Sequence, residues 1–222
     1  MNSREKFSAV LLCFDCYNEF MNKKEMILEE SVRLFSERGY YGTGLSELLK
    51  ACGIPKGSFY YYFPEGKIQL AKETLIYSYE NMKGTIVSEF FLESNPLMAF
   101  ERMADYLTRS VKKKDRFASL LLTMISIESK YLDPSINQTC LEIYADWQNI
   151  YLKKFLQFNE SRKDAKRNAQ AVFALIHGSL ISSWIKNDPS DLIMAKEELS
   201  IILCKYASAS NSGKEITVKK NR

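Results

Sequence analysis

The sequence predicts an all-α protein, and three observations support that fold class. Nine Gly and five Pro in 222 residues supply too little turn chemistry for a sandwich or barrel of many short strands. Apolar residues recur at offsets of three, four and seven along much of the chain, which is the period of an amphipathic helix. Breaks that contain Pro, Asn or Asp interrupt these periodic segments. Together these features predict about nine helices without an internal repeat.

Composition restricts the function classes. Apolar residues make up 46% and charged residues 26% of the chain, which is typical of a globular protein. The net charge is +4, and the last fourteen residues contribute +3 of it through four basic side chains and one acidic one. The remainder is nearly neutral, so any contact with DNA requires a local patch. Five cysteines and the lack of a membrane-length apolar run favour a soluble, cytoplasmic protein with reduced thiols.

We expect four segments along the chain. Residues 1–21 form an extension with neither a helical period nor a capping pattern, and it is either a mis-assigned start or an added arm. Residues 22–68 form a first helical domain, and residues 69–207 form a second, larger one. Residues 208–222 form a polar, basic tail that we expect to be disordered.

The first helix is predicted to run from Lys23 to Gly39. Gly is the usual residue just after a helix, and Arg38 suits the last turn. The apolar side chains of this segment fall on one face, at offsets of 0, 1, 7 and 8: Ile27, Leu28, Leu34 and Phe35.

Two short helices follow, and they predict a helix-turn-helix. The first covers residues 45–52, where apolar side chains have offsets of 0, 3, 4 and 7, and Gly53 ends it. The second begins at Pro55, a position that tolerates a missing N–H. It buries Phe59 and Phe63, which lie four residues apart. Two short helices joined by a turn with Gly are typical of the DNA-binding motif.

The second short helix has many polar side-chain ends, which predicts that it reads DNA in the major groove. Three successive tyrosines taken alone are more typical of packing, but Phe59 and Phe63 already fill the inward positions. Gly57 lowers helix stability by about 1 kcal/mol relative to Ala, and we interpret it as space for a duplex. Hydroxyls and free N–H groups at a helix start suit phosphate. The predicted DNA-binding residues are Thr43, Ser46, Lys56, Gly57, Ser58, Tyr60, Tyr61, Tyr62 and Lys67.

Residues 23–75 resemble the DNA-binding domain of TetR/AcrR-type transcriptional regulators. The resemblance rests on residues 34–40 (LFSERGY), residues 43–45 (TGL), residues 51–63 (ACGIPKGSFYYYF) and Lys67. It is closest to the branch of drug- and flavonoid-responsive repressors that carry the motif PKGSxYxxFPxGK. The resemblance implies that residues 22–68 form a helix-turn-helix DNA-binding domain and that residues 69–207 form a helical ligand-binding and dimerisation domain.

The resemblance also implies residue roles. Three residues would hold phosphates and three would face bases: Tyr60, Tyr62 and Lys67, and Lys56, Gly57 and Ser58. The chain departs from the broader pattern at Tyr62, where many members have His, and at Gly66, which adds a residue before the lysine. A phenol can still contact phosphate, so neither departure removes the expected DNA binding.

The last two long helices are predicted to form a homodimer. One carries a stripe of large apolar side chains beside a stripe of small ones, which allows close helix approach, and the other adds a further apolar stripe. Two such helices from each chain would form a four-helix bundle with two-fold symmetry, which predicts a palindromic operator. The alternative is an ordinary core, but too few other helices remain to cover both stripes. The expected dimer residues are Phe173, Ile176, Leu180, Trp184, Leu199 and Ile202.

The middle helices concentrate Met and aromatic residues, which make adaptable walls for a planar apolar ligand. Helical spacing makes most of these residues ordinary core, so we expect only some of them to touch a ligand. His177, the only histidine, is either a satisfied core residue or a ligand contact. The candidate ligand-binding residues are Phe100, Met103, Tyr106, Phe117, Leu121, Met124, Tyr144, Trp147, Tyr151 and His177.

No residue pattern predicts an enzyme, a metal site or a cofactor. A single histidine allows no recognisable catalytic triad, and neither a Gly-rich phosphate loop nor a His/Cys cluster with zinc spacing is present. Cys13 and Cys16 form a lone Cys-x-x-Cys without a second pair.

The expected function is a homodimeric repressor that binds double-stranded operator DNA and leaves it when a small apolar or aromatic inducer binds. The inducer would favour a conformer whose reading helices no longer match successive major grooves. This coupling requires that the inducer bind the two conformers with different affinity. Two alternatives stay open: a small-molecule binding module that does not regulate genes, and a thiol-active enzyme that uses Cys13.

Overall fold

The computed structural model describes residues 22–113, 118–158 and 160–207. Every regular element in these residues is a helix, which confirms the predicted fold class. The predicted count of about nine helices is exceeded by a final single turn. The ten helices are α1 (Lys23–Arg38), α2 (Leu45–Cys52), α3 (Lys56–Tyr62), α4 (Lys67–Leu92), α5 (Pro96–Lys113), α6 (Ala118–Ser129), α7 (Pro134–Leu156), α8 (Arg162–Lys186), α9 (Ser190–Ile202) and α10 (Cys204–Ala207).

Local capping sets the ends of α1. The Asn22 side chain accepts the Glu25 N–H at 3.0 Å, and the Glu25 carboxylate accepts the Asn22 N–H at 3.2 Å. This reciprocal pair satisfies two N–H groups that have no partner within the helix. Gly39 ends α1 with φ of +70°, as predicted. The predicted stripe of Ile27, Leu28, Leu34 and Phe35 is buried.

The helix-turn-helix also forms where the sequence predicts it. Gly53 ends α2 in the left-handed conformation, with φ of 63°, which glycine adopts without steric cost. Pro55 directly precedes α3 and caps it, one residue earlier than the first helical position. Phe59 and Phe63 are fully buried, and their ring centroids lie 5.4 Å apart.

The chain divides into two compact units. Unit 1 contains the described residues up to Ser78 together with Leu121–Cys140, and unit 2 contains Tyr79–Leu120 and the described residues from Leu141 onward. The helices α4, α6 and α7 each contribute residues to both units. The domain boundary between residues 68 and 69 stays a prediction. The predicted extension and the predicted tail lie outside the described residues.

In unit 2, α9 packs against α5 and α8. The ammonium of Lys196 donates to Asp105 of α5 at 2.8 Å, and the Ser200 hydroxyl donates to Glu101 at 2.9 Å. The ammonium of Lys154 is buried and donates to the Phe90 carbonyl at 2.8 Å, which satisfies one of the last carbonyls of α4. Within the described part of the chain, none of the helices is long and apolar enough to cross a membrane.

Candidate nucleic-acid interface and ligand site

The outer face of α3 consists of exposed polar and aromatic side chains. Tyr61 is 79% exposed and Tyr60 is 40% exposed, and Lys56 is also exposed. Ser58 and Tyr62 are partly exposed. Hydrogen-bonding groups therefore cover the part of this short helix that does not face the core.

Two phenylalanines orient that face. Phe59 and Phe63 are one helical turn apart and point into unit 1, so the residues between them point outward. The Tyr60 ring packs edge-on against Phe59 with centroids 5.3 Å apart. The Lys56 ammonium lies 5.9 Å from the centroid of the Tyr60 ring, within the range of a cation–π interaction. These contacts restrict the orientation of the Tyr60 and Lys56 side chains.

Gly57 leaves an open space on the same face. It is exposed, and a Cβ atom added there would meet nothing within 4 Å. The interior of the protein therefore does not require a glycine at this position. The space is available to a partner that approaches α3 from solvent.

Thr43 does not have the role that the sequence suggested. It is fully buried, and its hydroxyl donates to the Gly39 carbonyl at 2.8 Å and lies 3.3 Å from the Leu34 carbonyl. The hydroxyl therefore holds the end of α1 and does not face a duplex. Ser46, in the first turn of α2, is exposed and remains a predicted phosphate contact.

Lys67 also has partners inside unit 1. Its ammonium donates a short hydrogen bond to the Tyr40 carbonyl and lies 3.9 Å from the centroid of the Tyr40 ring. Burial lowers the pKa of Lys67, and the charge of Glu128 opposes that decrease. In this structure the ammonium contacts Tyr40, and the expected contact with phosphate stays a prediction.

Unit 2 encloses a small apolar cavity. Its volume is about 10 Å³, which is no more than the roughly 10–15 Å³ that one water molecule requires. The Tyr151 hydroxyl donates to the sulfur of Met103 at 3.0 Å, and burial raises the pKa of this phenol. The lining residues are Met82, Met103, Leu107, Trp147, Tyr151, Ile176, His177 and Leu180.

His177 is the titratable imidazole of the cavity wall. Its Nε2 accepts the indole N–H of Trp147 at 2.9 Å, so the neutral imidazole carries its proton on Nδ1. The Phe173 ring stacks on the imidazole at 4.0 Å. Burial lowers the pKa of His177 to about 4, so the imidazole is uncharged at neutral pH. The cavity wall therefore bears no formal charge.

The predicted ligand-binding residues separate into groups. Met103, Trp147, Tyr151 and His177 line the cavity. Phe100 belongs to the core of unit 2, where its ring lies 4.9 Å from that of Tyr151. The remaining five are distributed as follows: Tyr106 and Tyr144 are partly buried in unit 2, Leu121 and Met124 belong to unit 1, and Phe117 lies outside the described residues.

Comparisons with known proteins identify the family. Residues 27–74 match the sequence profile of "Bacterial regulatory proteins, tetR family", and residues 96–198 match that of "Transcriptional regulator LmrA/YxaF-like, C-terminal domain". The HTH-type transcriptional regulator LmrA of Bacillus subtilis is 30% identical over 78% of this chain and 92% of its own length. The chain belongs to the TetR family of transcriptional regulators.

Two further similarities extend over most of the chain, and the solved structure among them shows the same fold. YxaF, an uncharacterized HTH-type transcriptional regulator of Bacillus subtilis, is 23% identical over 83% of this chain and 96% of its own length. The reduced form of NemR from E. coli superposes with a TM-score of 0.72, at 21% identity, over 82% of this chain and 97% of its own. Proteins of this family are DNA-binding regulators of transcription, so the exposed face of α3 is the candidate DNA interface of this TetR-family chain.

Four of the six predicted dimer residues of this TetR-family chain require a correction, while Trp184 and Ile202 stay predicted dimer contacts. Phe173, Ile176, Leu180 and Leu199 are buried within the single chain, because their stripes pack against neighbouring helices of unit 2. Trp184 is partly exposed and Ile202 is 41% exposed. Different apolar side chains of α8 and α9 face solvent: Ile185, Ile193, Met194 and Ile201.

Several residues at both sites are not predicted from the sequence. In unit 1 these are Tyr40 and Glu128, which form a hydrogen bond across 88 positions of sequence. In unit 2 they are Met82 and Leu107, which line the cavity. Helical periodicity predicts that an apolar residue is buried, but it does not identify the residues that surround it.

Proposed function

We propose that this chain is a homodimeric repressor that binds a palindromic operator through α2 and α3 and leaves it when a small uncharged ligand binds in unit 2. The proposal rests on the distribution of side chains around α3. An exposed lysine, an exposed glycine and two exposed phenols lie on one short helix whose aromatic core residues point the other way. A helix in the major groove needs this distribution.

The residues of α3 divide into two roles in this proposal. Tyr60 and Tyr62 hold phosphates, and such contacts orient a protein without specifying sequence. Lys56, Gly57 and Ser58 face base edges at the beginning of the helix, which is the part that contacts bases in helix-turn-helix proteins. Lysine can donate to the acceptor atoms of guanine.

The first experiment selects bound duplexes from a random pool with the wild-type protein and with two lysine variants. Lys56→Ala should relax the sequence preference at one position of each half-site, because a base contact is lost. Lys163→Ala removes the same charge from an exposed position on α8 and should leave the preference unchanged. Identical selected sequences for Lys56→Ala and the wild type would contradict base reading by Lys56.

The dimer is proposed to form through the open faces of α8 and α9. Ile185 is 81% exposed and Ile201 is 66% exposed, and Ile193 and Met194 add to the same two helices. Exposed apolar patches mark interaction sites, and we propose that these side chains form one. Two-fold symmetry of the dimer predicts a palindromic operator with half-sites about 34–36 Å apart.

A glutamate on this surface tests the dimer. Ile201→Glu should produce a monomer at concentrations where the wild type is a dimer, because an unpaired charge is costly inside an interface. Leu141→Glu places the same charge at a residue of α7 that is 56% exposed and should leave the dimer intact. Sedimentation velocity measures the oligomeric state. A dimeric Ile201→Glu protein would place the interface elsewhere.

The ligand is proposed to be neutral and apolar or aromatic, because the cavity wall is apolar and its imidazole is uncharged at neutral pH. Burying a formal charge without a partner costs several kcal/mol. The cavity volume of about 10 Å³ is too small for an aromatic ligand, so a ligand must displace flexible side chains, and Met82 and Met103 are the most adaptable of those present. Helix α4 carries Met82 and begins at Lys67 beside α3, so it could transmit the displacement.

Two bicyclic aromatic compounds of similar size test the ligand class. 2-Naphthol is uncharged at neutral pH and 2-naphthoate is anionic. The proposal expects 2-naphthol to bind more tightly and to release the protein from its selected operator, as measured by fluorescence anisotropy of labelled DNA. Equal binding of both compounds would contradict a neutral ligand. Binding of 2-naphthol without any change in operator affinity would contradict ligand-controlled release.

A further inference from the structure

The turn that follows α1 is held by a carboxylate from a distant part of the sequence. Glu128, near the end of α6, accepts the N–H of Tyr40 at 2.6 Å and lies 3.4 Å from the N–H of Tyr41. Hydrogen bonds to an ionised carboxylate are stronger than those between neutral groups. All three residues belong to unit 1.

Gly39 allows this close approach. Its φ is +70°, and a Cβ atom added there would lie 2.6 Å from the Glu128 Oε1. Any side chain at residue 39 would therefore displace the carboxylate and would also strain the backbone. The glycine that ends α1 thus has a second role as the contact surface for Glu128.

The backbone of Tyr40 is held from its other side by Lys67. The Tyr40 N–H donates to Glu128, and the Tyr40 carbonyl, which belongs to the next peptide group, accepts a hydrogen bond from the Lys67 ammonium. The Tyr40 ring lies under the same ammonium and stacks on Phe35 with centroids 6.0 Å apart. The backbone of Tyr40 is therefore held between an anion and a cation through two successive peptide groups.

The position of these residues along the chain brackets the DNA-binding motif. Tyr40 lies in the turn before α2, and Lys67 begins α4, directly after α3. The link from Glu128 through Tyr40 to Lys67 therefore joins the two ends of the segment that contains α2 and α3. A second contact supports the same turn, because the Tyr41 hydroxyl donates to the Tyr131 carbonyl at 2.6 Å.

We propose that Glu128 is a positioning residue for operator binding, which acts through the Tyr40 backbone to fix both ends of the helix-turn-helix. Lys67 contributes through the carbonyl of the same residue and supports the motif from within unit 1. The proposal rests on the proposed DNA-binding function. It concerns a residue outside the helix-turn-helix, whose side chain contacts the turn and not the exposed face of α3.

The loss of a negative charge and the loss of the contact with the turn should change DNA affinity in opposite directions, so variants of Glu128 test the proposal. Glu128→Gln and Glu29→Gln both remove one negative charge from unit 1, and Glu29 is an exposed residue of α1. Electrostatics alone predicts equal or tighter binding of the selected operator by both variants. Positioning predicts that Glu128→Gln binds roughly tenfold more weakly, since a charged hydrogen bond to the turn is lost, while Glu29→Gln does not bind more weakly.

Amide hydrogen exchange separates positioning from general loss of stability. In Glu128→Gln the amides of Tyr40 and Tyr41 should lose protection, while those of Leu34 and Phe35 in α1 keep it. A general loss of stability would reduce protection at all four positions together. Exchange is measured without DNA, so it tests the contact between Glu128 and the turn independently of DNA binding. If the wild type binds no operator, the proposed DNA-binding function fails, and exchange still shows whether Glu128 orders the turn.

A second variant covers the possibility that Glu128→Gln does not fold. Glu128→Asp keeps the charge and withdraws the carboxylate by one methylene, so it should also lose protection at Tyr40 and operator affinity, although less than the Gln variant. Combining Glu128→Gln with Lys67→Met should weaken binding by less than the product of the two single effects, because both act on the backbone of Tyr40. Unchanged operator affinity in both Glu128 variants, or unchanged exchange at Tyr40, would overturn the proposal.

Discussion

Aromatic side chains are concentrated in two regions of this protein, and the two regions use them differently. In α3, Tyr61 is largely exposed while Phe59, two residues earlier, is fully buried. In unit 2, Phe100, Tyr151 and Phe155 are all buried, and the ring of Phe100 lies 4.9 Å from Tyr151 and 5.4 Å from Phe155. Aromatic density alone therefore does not separate a binding face from a core.

The polar ends of these rings show what each region can do. The Tyr151 hydroxyl has an internal partner in the Met103 sulfur, so a ligand must open the cluster before it can contact that group. The Tyr61 side chain is already in solvent and can meet DNA without rearrangement of the core. Stability and binding should consequently separate on α3 and overlap in unit 2.

The largest expected difference in stability lies between substitutions at two residues of α3 that are two positions apart. Phe59→Ala removes a fully buried ring and should lower the free energy of unfolding by about 3–5 kcal/mol. Tyr61→Ala removes a side chain that is mostly in solvent and should change the free energy of unfolding by no more than about 0.5 kcal/mol. It should nevertheless weaken operator binding. Urea unfolding at fixed protein concentration and fluorescence anisotropy measure the two quantities.

Two outcomes would contradict the contrast between the buried ring of Phe59 and the exposed ring of Tyr61. If Tyr61→Ala lowered the free energy of unfolding as much as Phe59→Ala does, its ring would be part of the core. If Tyr61→Ala were stable and bound the operator as tightly as the wild type, α3 would not contact DNA through this tyrosine.

His177 gives unit 2 a pH dependence, whereas α3 contains no histidine. The folded-state pKa of His177 is about 4, below the ordinary value of 6.5, so the unfolded chain takes up a proton first as the pH falls. Stability is therefore full above pH 6.5 and is lost progressively between pH 6.5 and pH 4, by up to roughly 3 kcal/mol. Urea unfolding at pH 7 and pH 5 measures this loss.

The variant His177→Gln isolates that contribution. Its amide oxygen can still accept the indole N–H of Trp147, but it does not titrate. The difference in unfolding free energy between pH 7 and pH 5 should therefore be smaller in His177→Gln than in the wild type by about 2 kcal/mol. Equal pH dependence in both proteins would mean that the imidazole is not held neutral by burial.

Local patterns predicted the parts of the fold that depend on local chemistry. The ends of α1 and α2 follow from Gly39 and Gly53, because a glycine with positive φ stops a helix wherever it occurs. The inward position of Phe59 and Phe63 follows from their spacing of four residues. These signals lie within a few residues of the structure that they determine.

Non-local contacts explain what the sequence did not predict. The bond between Glu128 and Tyr40 joins residues 88 positions apart, and no local pattern indicates it. Ile176 and Leu180 form an apolar stripe that was assigned to the dimer, yet they line a cavity inside unit 2. A stripe predicts that a helix face is covered, but the covering element can come from the same chain or from a second one.

The smallest expected effect compares two exposed helical glycines. Gly57 in α3 and Gly84 in α4 both have space for a Cβ atom, with nothing within 4 Å. Each change to Ala should stabilise its helix, by up to about 1 kcal/mol. Gly57→Ala should at the same time weaken operator binding, because the new methyl group stands where the duplex approaches, whereas Gly84→Ala should leave binding unchanged. Thermal unfolding and anisotropy titration measure the two effects, and equal operator affinity for both variants would show that DNA does not approach α3 at Gly57.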